Sequence, residues 1–283
     1  MAQVAIQREI TANTRTRTLV FPREHGAWGI LLVPLLTGAA VGASRGSDWS
    51  GLAMLAVLTL SLFWLRTPVE SCLGSSPMRA HSSAEVNAVL LAIAALGSVA
   101  MLSAAALLWH GQHRTLLAIG VIVALALAAQ AVLKRMGRRG RMPAQIVGAI
   151  GLTATAPSAY YVMTGKFGIE AIALWAANWI FAGNQIHFVQ LRIHAARAVS
   201  GTEKLARGRW FLAGEFAMAA ALVAIWRLGV LPGLALLAFA PVLARGSWWF
   251  FPGHRPLAVR RLGWTELAHN LAFGALLIVG FVR

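Results

Sequence analysis

The sequence predicts an all-α membrane protein that crosses the bilayer about nine times, and three observations support this fold class. Hydrophobic residues make up 58% of the 283 residues and charged residues 12%, whereas soluble domains carry about 25% charged residues. The mean hydropathy is +0.68. The apolar residues are grouped into long segments, and the basic residues lie in the connectors between them. Such a chain is predicted to form a polytopic helical bundle.

Nine apolar segments have, or nearly have, the roughly 20 residues that a helix needs to span the hydrocarbon core. Their approximate bounds are 26–44, 49–66, 86–109, 115–133, 144–163, 168–188, 210–227, 229–245 and 265–282. The eighth segment is short and contains Pro241, which favours a kink. The sequence therefore leaves open whether the eighth segment spans the bilayer fully.

The distribution of basic residues predicts the orientation. With the N-terminus on the inner side, the inner connectors hold 20 of the 25 Lys and Arg residues, and the outer connectors hold 5. Cytoplasmic loops of membrane proteins carry such an excess. We therefore expect a multi-pass protein of the inner (plasma) membrane with a cytoplasmic N-terminus and its C-terminus outside. The net charge of +16 has the same explanation, so nucleic acid is not an expected partner.

The chain is expected to consist of one membrane domain with a short tail. Residues 1–20 are basic and lack the apolar core and cleavage site of a secretory signal, so they are predicted to form a mobile cytoplasmic tail. Residues 21–283 are predicted to form a single transmembrane helical domain. Cys72 is the only cysteine, which excludes an intramolecular disulfide and a cysteine metal cluster.

Three ionisable residues precede the first apolar segment, in the stretch FPREHGAWGILLVPLLTG. They are Arg23, Glu24 and His25, and Glu24 lies in the predicted first turn, where the helix dipole favours a carboxylate. One interpretation is an interfacial anchor in which Arg23 pairs with Glu24. The other is one wall of a polar pocket at the cytoplasmic helix ends, because an anchor needs Arg23 but not Glu24 and His25.

A second polar cluster follows the second apolar segment, in LRTPVESCLGSSPMRAHSSAEVN. Arg66 is expected to end helix two because Pro68 stops it, and Glu70 follows Arg66 by four residues. The two side chains are either a surface ion pair or an anion-binding arginine with its orienting carboxylate. Ser82 and Glu85 predict an N-cap and a dipole-matched carboxylate at the start of helix three.

A third cluster lies at the cytoplasmic end of helix six, in NWIFAGNQIHFVQLRIHAAR. The spacing of Asn184, His187 and His194 places them on one helical face, and Arg192 lies on a second polar face. Hydrogen bonding between helices and a ligand site both explain two polar faces on a membrane helix. Zinc is not expected, because the two histidines are about two turns apart and no acidic ligand is near them.

Glu215, inside helix seven, is a further candidate. Ionisable residues within membrane spans are costly and usually face the interior of the bundle. This carboxylate is either buried and sensitive to protonation or paired with Arg209.

The opening motif and the third cluster resemble the YwiC-like family of bacterial membrane proteins. The signature of that family is a Pro-Arg/Lys-Glu-His-Gly-Ala-Trp opening, which residues 22–28 match with Pro34 also in place, and an Arg-Ile motif after helix six, which Arg192 and Ile193 match. The resemblance spans most of the chain. The family has no established activity, so the resemblance implies a membrane protein without naming a reaction.

The predicted topology is also similar to that of the UbiA-type prenyltransferases, which are bundles of nine helices with an inside N-terminus. In that group, aspartate-rich motifs after helices two and six hold magnesium and a prenyl diphosphate. The two corresponding places in this sequence contain no aspartate. Magnesium prefers carboxylate and phosphate oxygens, so neither a magnesium site nor any other cofactor is predicted.

These observations together predict a UbiA-like polar pocket that handles an isoprenoid or quinone-type anionic lipid without metal. Arginine binds phosphate and carboxylate directly, so the three clusters, including Arg66, His187, Arg192 and His194, would replace the metal. Whether the protein is also an enzyme stays open, because losing the metal removes Lewis-acid help with the leaving group.

Two alternative functions remain. The first is a non-catalytic binder of a lipid, quinone or haem-related molecule that helps to assemble another membrane complex. The second is a transporter, which is less favoured because the ionisable residues crowd the cytoplasmic end rather than the bilayer midplane. The sequence does not determine the ligand, the protein partner or the oligomeric state.

Overall fold

The computed structural model describes residues 15–22, 25–73, 79–110, 114–137, 139–198, 200–251 and 257–283, and all regular structure in these ranges is helical. The helices, in chain order, are α1 (15–20), α2 (His25–Ala43), α3 (Trp49–Cys72), α4 (Ser83–His110), α5 (Thr115–Arg135), α6 (Arg141–Thr153), α7 (Thr155–Thr164), α8 (Ile169–His194), α9 (Gly201–Arg227), a 3-10 helix (Gly233–Phe239), α10 (Ala240–Trp248) and α11 (Val259–Val282).

Seven helices in the described ranges are long and apolar enough to cross a membrane. They are α2, α3, α4, α5, α9, α11 and the pair α6–α7, which together form one segment from Arg141 to Thr164. Helix α8 is 26 residues long, but its amides and histidines lower its hydropathy. The segment Gly233–Trp248 is apolar but shorter. The all-α membrane class is therefore confirmed, while the nine-span count and the orientation stay predictions.

The chain divides into two compact units, and the first comprises residues 1–25 and 49–113. Within it α3 packs against α4, and α1 lies on the two helices. Leu19 is fully buried, and its carbonyl oxygen accepts a hydrogen bond of 3.2 Å from the Ser71 hydroxyl. Arg15 forms an ion pair of 2.8 Å with Glu85. Residues 15–20 are thus attached to this unit, so the predicted mobile tail does not extend over them, and its remaining residues 1–14 lie outside the described ranges.

Helix α4 begins with a capping box, in which a serine and a glutamate satisfy each other's backbone N–H groups. The Ser82 hydroxyl accepts from the backbone N–H of Glu85 at 3.2 Å, and the Glu85 carboxylate accepts from the backbone N–H of Ser82 at 3.3 Å. This contact confirms the N-cap that the sequence predicts at this position.

The second unit comprises residues 26–48 and 114–283. In it α2 lies so close to α7 that the contact leaves no room for side chains. A Cβ atom added to Gly38 would lie 2.0 Å from the carbonyl oxygen of Ala156, and one added to Gly42 would lie 2.7 Å from Cβ of Met163. The Thr155 hydroxyl also donates to the carbonyl oxygen of Leu31 at 3.0 Å. Small residues permit such close packing of membrane helices.

Two prolines affect the helices in different ways. Pro68 was expected to end helix two near Arg66, but α3 continues through it to Cys72, so that expectation is wrong. A proline within a helix removes one hydrogen bond, but Pro68 is buried within α3, and beyond it the backbone N–H of Leu73 donates to the carbonyl oxygen of Val69 at 2.9 Å. Pro157 instead follows the break at Ala154 between α6 and α7, since it cannot donate to the carbonyl of Thr153.

The core of the second unit lies between α8, the 3-10 helix and α11. Phe181 and Phe273 stack with ring centroids 4.0 Å apart, and Phe239 meets Phe273 edge-on at 5.2 Å. At one end of these helices Arg45 pairs with Glu170 at 3.1 Å. The opposite ends of α8 and α11 carry the polar residues described next.

Candidate functional site

A cavity of about 690 Å³ lies in the second unit, where the C-terminal ends of α8 and α10 meet the N-terminal ends of α9 and α11. In the predicted topology these four ends are all on the inner side. The side chains that give the cavity its chemical character are Phe188, Arg192, Lys204, Arg245, Trp248, Trp249, Arg261 and His269. Each of the four helices supplies at least one basic residue.

The lining is strongly cationic. Lys204 is only 5% exposed, and its ammonium donates to the carbonyl oxygen of Trp249 at 3.4 Å and lies 5.6 Å from the centroid of the Trp249 ring. The Arg245 guanidinium lies over the Phe188 ring at 4.0 Å. Aromatic rings attract cations through their negative faces, so these contacts hold both charges at the cavity wall.

Arg245 connects the cavity to a buried polar network. One terminal nitrogen forms an ion pair with the Glu266 carboxylate, and the other donates to Oδ1 of Asn184 at 3.0 Å. The Asn184 amide nitrogen donates in turn to Oε1 of Glu215. The side chain of Gln185 donates to the main-chain carbonyl of Glu266 at 3.0 Å. Asn184 therefore links two helices, α9 and α10, to α8.

The backbone of α10 approaches this network closely. A Cβ atom added to Gly246 would lie 2.9 Å from Oε1 of Glu215, so the residue after Arg245 has to be small. The His187 ring, half-buried on α8, meets Phe211 of α9 edge-on with centroids 5.2 Å apart. The Asn184 amide and the backbone at Gly246 together restrain the carboxylate of Glu215 between α8 and α10.

The structure brings together some of the predicted site residues and separates others within the second unit. Asn184 and Glu215 are bonded to each other, and Arg192 lines the cavity. His187 packs on Phe211 and is not among the residues that line the cavity. His194 is exposed, and Nδ1 of its ring bonds with the carbonyl of Gln190 in its own helix at 2.8 Å.

The alternative pairing of Glu215 with Arg209 is wrong. The carboxylate accepts from Asn184, and the Arg209 guanidinium lies over the Trp210 ring at 5.6 Å. Glu215 points into the network because its side of α9 is buried, whereas Arg209 is on an exposed side.

Arg66 and Glu70 belong to the first unit, where Nε of Arg66 and Oε1 of Glu70 lie 3.0 Å apart one turn along α3. Both side chains are about one-third exposed (29% and 33%), which agrees with the predicted pair. Arg23, Glu24 and the side chain of His25 lie outside the described residues, so their part in a pocket stays a prediction.

Five ionisable members of the site were not predicted from the sequence. They are Lys204, Arg245, Arg261, Glu266 and His269. The sequence places Arg245 and Glu266 at the ends of apolar segments, as connector residues. Helix α10 continues to Trp248 and α11 begins at Val259, so both residues lie inside helices. An arginine and a glutamate inside neighbouring apolar helices are a signal for pairing.

The arrangement is suited to binding an anion. Arginine and lysine form charge-assisted hydrogen bonds with phosphate and carboxylate oxygens. Each of the four helices contributes one such cation to the cavity: Arg192, Lys204, Arg245 and Arg261. Among the residues that the structure describes, no group of three or more His, Cys, Asp or Glu side chains is placed to hold a metal ion.

A family model described as "YwiC-like protein" matches residues 21–160. The match covers the opening motif and ends before α8, so the cavity lies outside it. No curated protein and no solved structure matches the chain; the likeness to UbiA-type enzymes therefore stays a prediction. The matched residues include the motif at residues 22–28, on which the predicted resemblance to the YwiC-like family rests, whereas the Arg192–Ile193 motif lies outside the match.

Proposed function

We propose that this membrane protein binds the anionic headgroup of an isoprenoid or quinone-type lipid in the cavity between α8, α9, α10 and α11, without an aspartate–magnesium clamp. The observation that carries the proposal is the cationic lining of that cavity. The cavity would lie at the cytoplasmic face of the inner membrane, where the predicted topology puts these helix ends.

The charge of the lining favours an anionic ligand. Arg192, Lys204, Arg245 and Arg261 contribute four positive charges, and Glu266 offsets one of them through its ion pair with Arg245. A surplus of positive charge in a partly enclosed space attracts phosphate or carboxylate groups. Several arginines around one site also supply the paired N–H donors that recognise phosphate oxygens.

The apolar part of the lining favours a lipid over a free anion. Phe188 and Trp249 lie beside the cations, and Trp248 is 65% exposed. Tryptophan is enriched where a membrane meets water, because its ring is apolar and its N–H is polar. A headgroup held by the cations would therefore leave its apolar chain next to aromatic rings and the membrane.

The proposal is tested by the binding of a labelled prenyl diphosphate to the purified, detergent-solubilised protein, first with magnesium and then with EDTA. Binding is expected in both conditions. Arg192→Ala and Arg261→Ala are each expected to raise Kd about tenfold or more, because each removes a charge-assisted contact. Arg227→Ala, at the far end of α9, is the control and should leave Kd unchanged.

Three results would contradict the proposal in different ways. Binding that requires magnesium would contradict the metal-free site. Equal Kd values for Arg192→Ala, Arg261→Ala and the wild type would place the ligand elsewhere. Inorganic diphosphate that competes as strongly as the prenyl compound would show that the site recognises the anion without its lipid chain.

A further inference from the structure

The network behind the cavity contains two buried carboxylates and one buried guanidinium. The side chains of Arg245 and Glu266 are 10% and 8% exposed, and Glu215 is 6% exposed. If all three groups are ionised, the cluster carries one uncompensated negative charge. Such a charge away from water is unfavourable. The charged groups around Glu215 therefore decide whether its carboxyl group is ionised or neutral.

The elements packed against Glu215 supply no second cation for it within the described residues. Helix α8 presents Asn184 and the ring of His187, which packs on Phe211. Helix α10 presents Arg245, and α11 presents Glu266. The 3-10 helix Gly233–Phe239 contains no titratable residue.

The basic residues of α9 on the N-terminal side of Glu215 are directed elsewhere, and one of them, Arg207, is exposed. Lys204 donates to Trp249, and Arg209 lies over Trp210. Glu215 therefore depends on groups from other helices, and Arg245 is the cation among them.

The hydrogen bonds distinguish the two carboxylates. The Glu266 carboxylate forms an ion pair with the Arg245 guanidinium, so Glu266 is the counter-ion of Arg245. Glu215 receives only a neutral amide donor, from Asn184 to Oε1. Each carboxylate has one buried oxygen without a hydrogen-bond partner among the described residues, Oε2 of Glu215 and Oε1 of Glu266. The two carboxylates therefore differ in the charge of the donor that the other oxygen receives. A buried acid without a charged partner is most stable in its neutral form.

We propose that Glu215 is a proton-binding site, at which a neutral carboxylic acid holds one exchangeable proton on Oε2. The Asn184 amide occupies Oε1 and links the acid to Arg245, and thereby to the wall of the cavity. With this proton the cluster of Glu215, Arg245 and Glu266 is electrically neutral. The proposal does not depend on which ligand, if any, the cavity binds.

The first test is infrared spectroscopy of the full-length protein in lipid nanodiscs near neutral pH. The wild type is expected to show the carbonyl-stretch band of a protonated carboxylic acid, which shifts on exchange into heavy water. Glu215→Gln should remove that band. Glu203→Gln, in the exposed first turn of the same helix, should leave the band unchanged.

The second test compares thermal unfolding of two isosteric variants. Glu215→Gln should keep the Tm of the wild type, because an amide resembles the neutral acid. Glu266→Gln should lower the Tm by about 5 °C or more, because it leaves the buried Arg245 without its counter-ion. A wild type without the band, a band that survives Glu215→Gln, or a Glu215→Gln variant as unstable as Glu266→Gln would each overturn the proposal.

Discussion

Asn184 and His194 both lie on the face of α8 that the sequence marks as polar, but their surroundings differ. Asn184 is 9% exposed, and it bonds to Glu215 on one side and Arg245 on the other. His194 is exposed, and Nδ1 of its ring forms a hydrogen bond with the carbonyl of Gln190 in its own helix. The same helical face thus runs from a buried network to the surface within three turns, and only the buried end can order charged groups.

At the scale of this residue, Asn184→Ala is expected to lower the free energy of unfolding by about 1–3 kcal/mol, because it leaves buried groups of Arg245 and Glu215 without a partner. His194→Ala should change the free energy by less than about 0.5 kcal/mol, as surface substitutions usually do. Chemical denaturation of both variants in one detergent checks the difference. Equal effects would show that Asn184 does not link the two charged groups.

At the scale of the elements, the contact between α2 and α7 depends on the absence of side chains. Gly38 faces the backbone of Ala156, so even a methyl group would overlap a carbonyl oxygen. Backbone cannot rotate away as a flexible side chain can, so the helices have to move apart. Gly183, inside α8, has nothing within 4 Å of its added Cβ atom.

Gly38→Ala is therefore expected to destabilise the protein by about 1–3 kcal/mol, as overpacking does. Gly183→Ala should be neutral or should stabilise by up to about 1 kcal/mol, because alanine favours the helix. The Tm of each variant, measured by the same thermal-shift assay, provides the comparison. If both substitutions had the same effect, the close approach of α2 and α7 would be contradicted.

At the scale of the whole molecule, the predicted topology assigns each connector to one side of the membrane. The predicted topology puts Cys72 inside and Ser47 outside, on opposite ends of α3. Cys72 is the only cysteine and is exposed, and Ser47 is also exposed. A maleimide can therefore react with the native Cys72 at one end of α3, or with a cysteine introduced at position 47 near the other end.

A membrane-impermeant maleimide is expected to label Cys72 in inside-out vesicles but not in right-side-out spheroplasts. The double variant Cys72→Ser, Ser47→Cys should show the reverse pattern, and Cys72→Ser alone should not be labelled. Labelling of both positions from the same side would contradict α3 as a membrane-spanning helix. A complete reversal would invert the predicted orientation.

The sequence by itself determined what composition and local spacing control. The apolar segments predicted each of the seven long membrane-type helices in the described ranges. Ser82 and Glu85 predicted the start of α4, and the motif at residues 22–28 predicted the match to the YwiC-like family model. These properties depend on neighbours along the chain, because the length of an apolar segment and the capping of a helix are set by consecutive residues.

Only the tertiary structure decided which polar residues meet. Asn184 and Arg245 are 61 positions apart, and Arg245 and Glu266 are 21 apart. Their pairing depends on which helix ends pack together and on helix bounds that extend past the apolar segments. Periodicity places a residue on a face of its own helix, but it does not say which helix that face contacts. For that reason Asn184 was a candidate from the sequence, whereas its partner Arg245 was not.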